Sequence, residues 1–221
     1  MHNIPVTVLD NFFDNPDAVR ELALQQEFKP SEYGLWPGKR TKQLHEISHS
    51  LHDTVCNRLF SLFYNFKTEG IRWKVEGSFQ KVDKSYNTGW VHADTDQSIL
   101  SGIIYLTPNA DIKSGTSIYR QKPSDPFARI KHVDAKAANY KNEISNTDIE
   151  KYRLENNAQF EETIKVGNVY NRLLAFDSHM LHAAQDFFGD ESEDNERLTL
   201  VLFATSLIAG VSPIHRSKRC M

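Results

Sequence analysis

The spacing of apolar residues changes character along the chain, from a helical period to two-residue alternation. "IPVTVLD" (4–10) alternates and is rich in β-branched residues, which predicts a strand. In "DNPDAVRELALQQ" (14–26), Asn15 suits an N-cap and Pro16 the first helical position. Val19, Leu22 and Leu24 then give an apolar face, so a short helix follows. "SEYGLWPGKRT" (31–41) is dense in turn residues and reads as a loop. Across 44–65, Leu44, Ile47, Leu51, Val55, Leu59, Leu62 and Phe63 recur every three or four positions, which predicts one long amphipathic helix. The aromatic run "LFSLFYNF" (59–66) belongs with a core. Further on, "RWKVEGSFQKV" (72–82) alternates, and "SILSGIIYLTP" (98–108) is an apolar run stopped by proline. "GTSIYR" (115–120), "NRLLAFDS" (171–178) and "RLTLVLFATSL" (197–207) are further strand candidates. Two helices ahead of a series of short strands predict a mainly β protein of the α+β kind, a β-sandwich or jelly roll with helices packed on one face.

Residues 121–165 break this rhythm. They are polar, with a helical stretch expected around 147–157, and too long for an ordinary turn. An insertion, a lid or a binding loop fits them, and so does a solvated connection. The expected organisation is one domain. Residues 1–70 support the core, 71–207 form the core around the polar insertion, and 208–221 are a tail.

Composition narrows the function class. A chain of 221 residues suits a single domain with a real core. Its 39% hydrophobic and 25% charged residues are those of a soluble globular protein. A formal net charge of −3 gives no electrostatic reason to expect nucleic-acid binding, and the short basic cluster "HRSKRC" (215–220) reads as a solvated end. Two cysteines, Cys56 and Cys220, make a disulfide framework an unsuitable reading and a reducing compartment the default. "MHNIPVTVLDNFF" lacks a charged-then-apolar layout, and no apolar run reaches the roughly 18–20 residues of a membrane span. A cytoplasmic protein is the expectation.

Candidate chemistry begins at "GWVHADTD" (89–96). His92 and Asp94 are two apart, so on a strand an imidazole and a carboxylate share one face. Alone, this is equally a polar strand end. Downstream, "LLAFDSHMLHAAQDF" (173–187) offers His179 and His182, and Arg197 then opens an apolar strand with Thr199 on its own face. Two histidines and one carboxylate are the facial triad of non-haem Fe(II) oxygenases, with coordination positions open for a 2-oxo acid and dioxygen. The far carboxylate of such an acid takes a bidentate cation, which Arg197 supplies, and Thr199 adds a hydroxyl.

The pieces "GWVHAD", "SGIIYLTP", "SGTSIYR", "LLAFDSHMLHAA" and "RLTLVLF", in this order between about residues 72 and 207, resemble the Fe(II)/2-oxoglutarate-dependent dioxygenase superfamily, in its prolyl-hydroxylase-like branch. The upstream "NFFDNPDAVRELAL" and "WPGKRT" resemble a subgroup that carries the same core. The resemblance implies a double-stranded β-helix, with His92, Asp94 and His182 as metal ligands. It implies Arg197, with Tyr105 and Thr199, at the C5 carboxylate of 2-oxoglutarate. The small residues Ala183 and Ala184 after the distal ligand select His182, leaving His179 as a surface residue. The His-x-Asp pattern selects Asp94 over Asp96. A carboxylate ligand where related halogenases have a small residue implies hydroxylation or another oxidation. The implied cofactor is Fe(II), the co-substrates 2-oxoglutarate and dioxygen, and the partner a peptidyl or small-molecule substrate. Trp90 is a candidate for the substrate pocket or for core packing. Arg40, with Lys39, is a candidate for binding an anionic substrate group or for a solvated turn. His45, His49 and His52 read as a polar helix face. A non-catalytic jelly-roll protein retaining the metal site is the alternative, although none of the ligands or the arginine is lost here. A cupin-type sugar or nucleotide module would have no need of Arg197.

Overall fold

In this computed structural model, residues 4–94, 97–141, 143, 146–190 and 195–210 are described, the side chains of 146 and 147 excepted. Asp96, Cys220 and the basic cluster at 215–220 lie outside the described residues. In chain order the strands are β1 (Thr7–Leu9), β2 (Lys29–Pro30), β3 (Lys39–Arg40), β4 (Arg72–Val82), β5 (Leu100–Tyr105), β6 (Thr116–Gln121), β7 (Phe160–Val166), β8 (Leu173–Asp177), β9 (Leu181–Ala184) and β10 (Arg197–Ile208). The helices are α1 (Pro16–Leu24), α2 (Leu44–Ile47), α3 (His49–Ser61), α4 (Val133–Tyr140) and α5 (Asn146–Asn157).

β10 shows how the layers are assembled. Leu198, Leu200, Leu202 and Ala204 are buried in one core with Val19 and Ala23 of α1 and Val55, Leu59 and Phe60 of α3. Each such leucine contributes roughly 1.5–3 kcal/mol by leaving water. The alternate residues Arg197, Val201 and Phe203 line a cavity on the opposite face. Both faces are covered, so β10 reads as a nearly continuous apolar run rather than an alternation. It pairs antiparallel with β4 and β5 at the centre of a seven-stranded sheet of order β1-β8-β5-β10-β4-β3-β2. A smaller sheet of order β7-β6-β9 is also antiparallel. The architecture is a double-stranded β-helix with N-terminal helices packed on one face of its larger sheet. Among the described residues no helix is long and apolar enough to cross a membrane.

Several elements depart from the sequence reading. The expected helix over 44–65 is two helices, because Ser48 adopts an extended backbone (φ −155°, ψ 104°). There its hydroxyl accepts from the Leu51 N–H at 3.3 Å and caps α3. The loop at 31–41 ends in a two-residue strand, β3, which joins the large sheet beside β4. The polar stretch 121–165 holds α4, α5 and most of β7. In β7 only Phe160 and Val166 are buried, as suits the edge of a sheet, so its hydrophobic signal is weak. α1 follows expectation, with Pro16 in its first turn and Asn15 Oδ1 accepting from Ala18 N at 3.2 Å.

The 31–38 loop and α4 meet above the cavity. Gly34 sits at φ +66°, and a Cβ there would lie 2.2 Å from the Ala137 carbonyl oxygen. Only glycine permits this approach, so the loop rests directly on the α4 backbone.

Candidate metal centre

Two segments far apart in sequence are joined by backbone hydrogen bonds. His92 N donates to His182 O at 3.1 Å and His182 N to His92 O at 2.8 Å, an isolated antiparallel bridge. Asp94 N donates to Ser178 O at 3.0 Å. These bonds hold both imidazoles and the carboxylate on one side. One ligand atom from each of His92, Asp94 and His182 lies within 4.8 Å of the others. His92 Nε2 is 3.8 Å from Asp94 Oδ1, and His182 Nε2 is 3.7 Å from Asp94 Oδ2.

The same device orients both rings. His92 Nδ1 is 2.7 Å from Trp90 O, and His182 Nδ1 is 2.9 Å from Met180 O. A carbonyl can only accept, so each Nδ1 donates a proton there and each Nε2 is the nitrogen turned toward Asp94. Burial holds His92 well below its ordinary pKa, and Lys136 acts in the same direction. The imidazole is therefore neutral, as a metal ligand must be. Asp94 is held from behind: Ser101 Oγ donates to its Oδ2, and Ser178 Oγ lies 3.0 Å from Ser101 Oγ. Outer hydrogen bonds of this kind fix the orientation of a ligand.

The second group of predicted residues lies across the β10–β5 pair. Thr199 is in register with Tyr105 on one side and with Gln80 of β4 on the other, so all three share a face with Arg197. Arg197 is 4% exposed. Its Nε donates to Ser114 O at 3.2 Å, and its guanidinium lies 5.4 Å from the Tyr105 ring centre and 5.6 Å from that of Phe187. Tyr105 OH donates to Thr116 Oγ1 at 2.9 Å. Arg197 Nη2 and Thr199 Oγ1 are buried without a partner, and among the described residues no carboxylate pairs with Arg197. Burial lowers the pKa of Arg197, and Tyr105 opposes that shift. Buried donors of this kind are costly unless an acceptor joins them. Two imidazoles with a carboxylate suit a divalent transition metal, and the unpaired donors suit a carboxylate. The donor set therefore fits Fe(II) and a 2-oxo acid.

A cavity of about 340 Å³ contains the triad and Arg197. Trp90, 2% exposed, lines it and packs with Tyr86, Tyr140 and Phe187. Arg40 lines it too, whereas Lys39 does not. His179 points to solvent, 3.0 Å from Asp177 Oδ1. His45 is on α2, and its ring lies 6.3 Å from that of His49 and 5.7 Å from that of His52, both on α3. Among the described residues the His92, Asp94 and His182 group is the one whose geometry could hold a metal. Sequence reasoning missed Ser101, Ser114, Thr116 and Trp36. The two-residue alternation of β5 places Ser101 on the face of Tyr105, which was the available signal for it. Ser114 acts through its backbone carbonyl and offers no sequence signal.

Comparisons with known proteins agree with this architecture. The model of a family of unknown function, DUF6445, matches residues 1–204. No curated protein matches the chain. Among solved structures it is similar to HygX from Streptomyces hygroscopicus with nickel and 2-oxoglutarate bound. That likeness has 10% identity and a TM-score of 0.53, and covers 90% of this chain and 82% of that one. A prolyl hydroxylase from Trichoplax adhaerens, in complex with a hypoxia inducible factor oxygen degradation domain peptide fragment, gives 13% identity and a TM-score of 0.51, covering 90% and 82%. An oxidoreductase of the 2OG-Fe(II) oxygenase family from Burkholderia pseudomallei gives 12% and 0.50, covering 91% and 86%. At these identities the likeness concerns the fold, which is that of 2-oxoglutarate oxygenases of the prolyl-hydroxylase-like kind.

Proposed function

We propose that this chain, which belongs to the DUF6445 family of unknown function, is a non-haem Fe(II)- and 2-oxoglutarate-dependent dioxygenase. It hydroxylates a peptidyl side chain, an amino acid or a small metabolite, with release of succinate and CO2. The observation that carries this reading is a coincidence within one buried region. Three ligand atoms lie within 4.8 Å of one another, and nearby, buried Arg197 and Thr199 hold donors with no partner.

His92, Asp94 and His182 would hold the iron. Bound there, Fe(II) would activate dioxygen, with two electrons from 2-oxoglutarate and two from the substrate. The protons on the two Nδ1 atoms keep the Nε2 lone pairs aimed at the metal position. Ser101 fixes the rotation of the Asp94 carboxylate. Arg197 and Thr199 bind the C5 carboxylate of 2-oxoglutarate, and Tyr105 supports Arg197 from one side. Trp90 and Arg40 face the substrate, and the apolar walls keep bulk water from the reacting atoms.

The test is anaerobic Fe(II) binding with 2-oxoglutarate, followed by the weak visible charge-transfer band, in wild type, His92→Ala and Arg197→Ala. The reading expects a band in wild type, none in His92→Ala, and a higher 2-oxoglutarate requirement in Arg197→Ala. A folded wild type without the band refutes it and leaves a non-catalytic jelly-roll binding or structural protein.

A further inference from the structure

A second set of unpartnered donors lines the same cavity, away from Arg197. Arg40 Nε, Trp36 Nε1 and Thr205 Oγ1 are each buried without a hydrogen-bond partner. They come from three places: the loop before β3, β3 itself, and the irregularity in β10 between Ala204 and Ser206. Thr205 is two positions beyond Phe203, so strand alternation puts both on the cavity face.

The Arg40 guanidinium is fixed by aromatic and neutral groups. It lies 4.6 Å from the Trp36 ring centre and 5.4 Å from that of Phe203. Its Nη2 donates to Gln80 Oε1 at 3.4 Å, and Gln80 Nε2 is itself anchored to Pro37 O at 2.8 Å. Among the described residues no carboxylate lies within ion-pair distance of Arg40. Glu76, the other acid lining the cavity besides Asp94, is 3.5 Å from Lys74 Nζ. Burial lowers the pKa of Arg40 to about 10, with the charge of Asp94 opposing that shift, which leaves it charged at neutral pH. The charge is thus positioned with no carboxylate in direct contact, and indole N–H and guanidinium N–H can only donate. Around them the cavity is aromatic, with Trp90, Tyr140, Phe176 and Phe187. Its volume of about 340 Å³ is at the small end for ligand sites and must also hold the co-substrate.

We propose that the prime substrate is a small carboxylic acid with an apolar body, its carboxylate seated on Arg40 with Trp36 and Thr205. This rests on the oxygenase reading, since it assigns the region over the triad to that body. A planar carboxylate matches the guanidinium fork, and the indole and hydroxyl take its remaining lone pairs.

The test is calorimetric titration of 3-phenylpropionate and of its amide into protein loaded with Zn(II) and saturating 2-oxoglutarate. Wild type should bind the acid at least about tenfold more tightly than the amide, and Arg40→Met should erase that preference. Trp36→Phe keeps the stacking ring and removes the N–H. It serves as the second variant should Arg40→Met not fold, and it should weaken the acid more than the amide. Equal binding of acid and amide by wild type, no binding of the acid, or a preference that survives in the variants overturns the proposal. Titration of wild type with 2-oxoglutarate alone reports separately on the oxygenase reading. If that fails, the acid–amide comparison without metal or co-substrate still tests Arg40.

Discussion

Replacing Thr199 with valine should make the protein more stable and a poorer binder of 2-oxoglutarate. Thr199 is fully buried, and its Oγ1 has no partner. An unsatisfied buried hydroxyl costs about 1–3 kcal/mol. Valine replaces the oxygen by a methyl of similar size, in a strand that favours β-branched residues. The expected gain is therefore about 1–2 kcal/mol, and at this chain length each kcal/mol raises Tm by roughly 2–4 °C. Scanning calorimetry of the protein without ligands should show the variant melting higher. A hydroxyl bond to a carboxylate contributes roughly 1.5–3 kcal/mol, so 2-oxoglutarate affinity should fall about 10- to 100-fold in a Zn(II)-loaded titration. The thermal shift produced by the co-substrate should shrink with it. A variant that melts below wild type and binds 2-oxoglutarate equally well would refute the reasoning. The hydroxyl would then be satisfied within the folded protein.

Ser101→Ala removes the hydrogen bond that orients Asp94 while leaving β5 intact; metal affinity, measured by competition with a chelating dye, should drop roughly 10- to 100-fold. Unchanged affinity would mean that the bond does not position the ligand. Asp10 receives Arg172 Nε at 2.5 Å and Nη2 at 2.9 Å, and these hydrogen bonds hold its carboxyl below the ordinary value of 3.8. A depressed folded-state pKa gives stability that is present above about pH 4 and lost as pH falls through the folded value. Asp10 is half exposed, so Asp10→Asn should cost no more than about 1 kcal/mol at pH 7, and urea titrations should show the gap closing below about pH 4. A gap that does not shrink as pH falls below about 4 counts against an ionic origin.

The local features of this chain were legible in one dimension. Apolar runs and alternation marked β4, β5 and β10, because each strand meets its core through side chains two residues apart. Asn15 and Pro16 marked α1 for an equally local reason. The order of His92, Asp94, His182 and Arg197 was readable as well, since the residue types and the apolar strands between them are in the sequence itself.

Other features depended on which strands become neighbours. The break at Ser48 interrupts an apolar period that runs through it, so periodicity alone predicted a single helix. β7 exposes its middle and has an irregular register with β6, which erases its alternation. Arg197 meets a carbonyl 83 residues away, Ser101 a hydroxyl 77 residues away, and Arg40 an amide 40 residues away. The sequence by itself determined the helix α1, the strands β4, β5 and β10, and the residue types able to bind metal and anion. Only the pairing of strands in three dimensions decided which donors stay unpartnered, because a missing partner is a property of the whole neighbourhood and of no single stretch of chain.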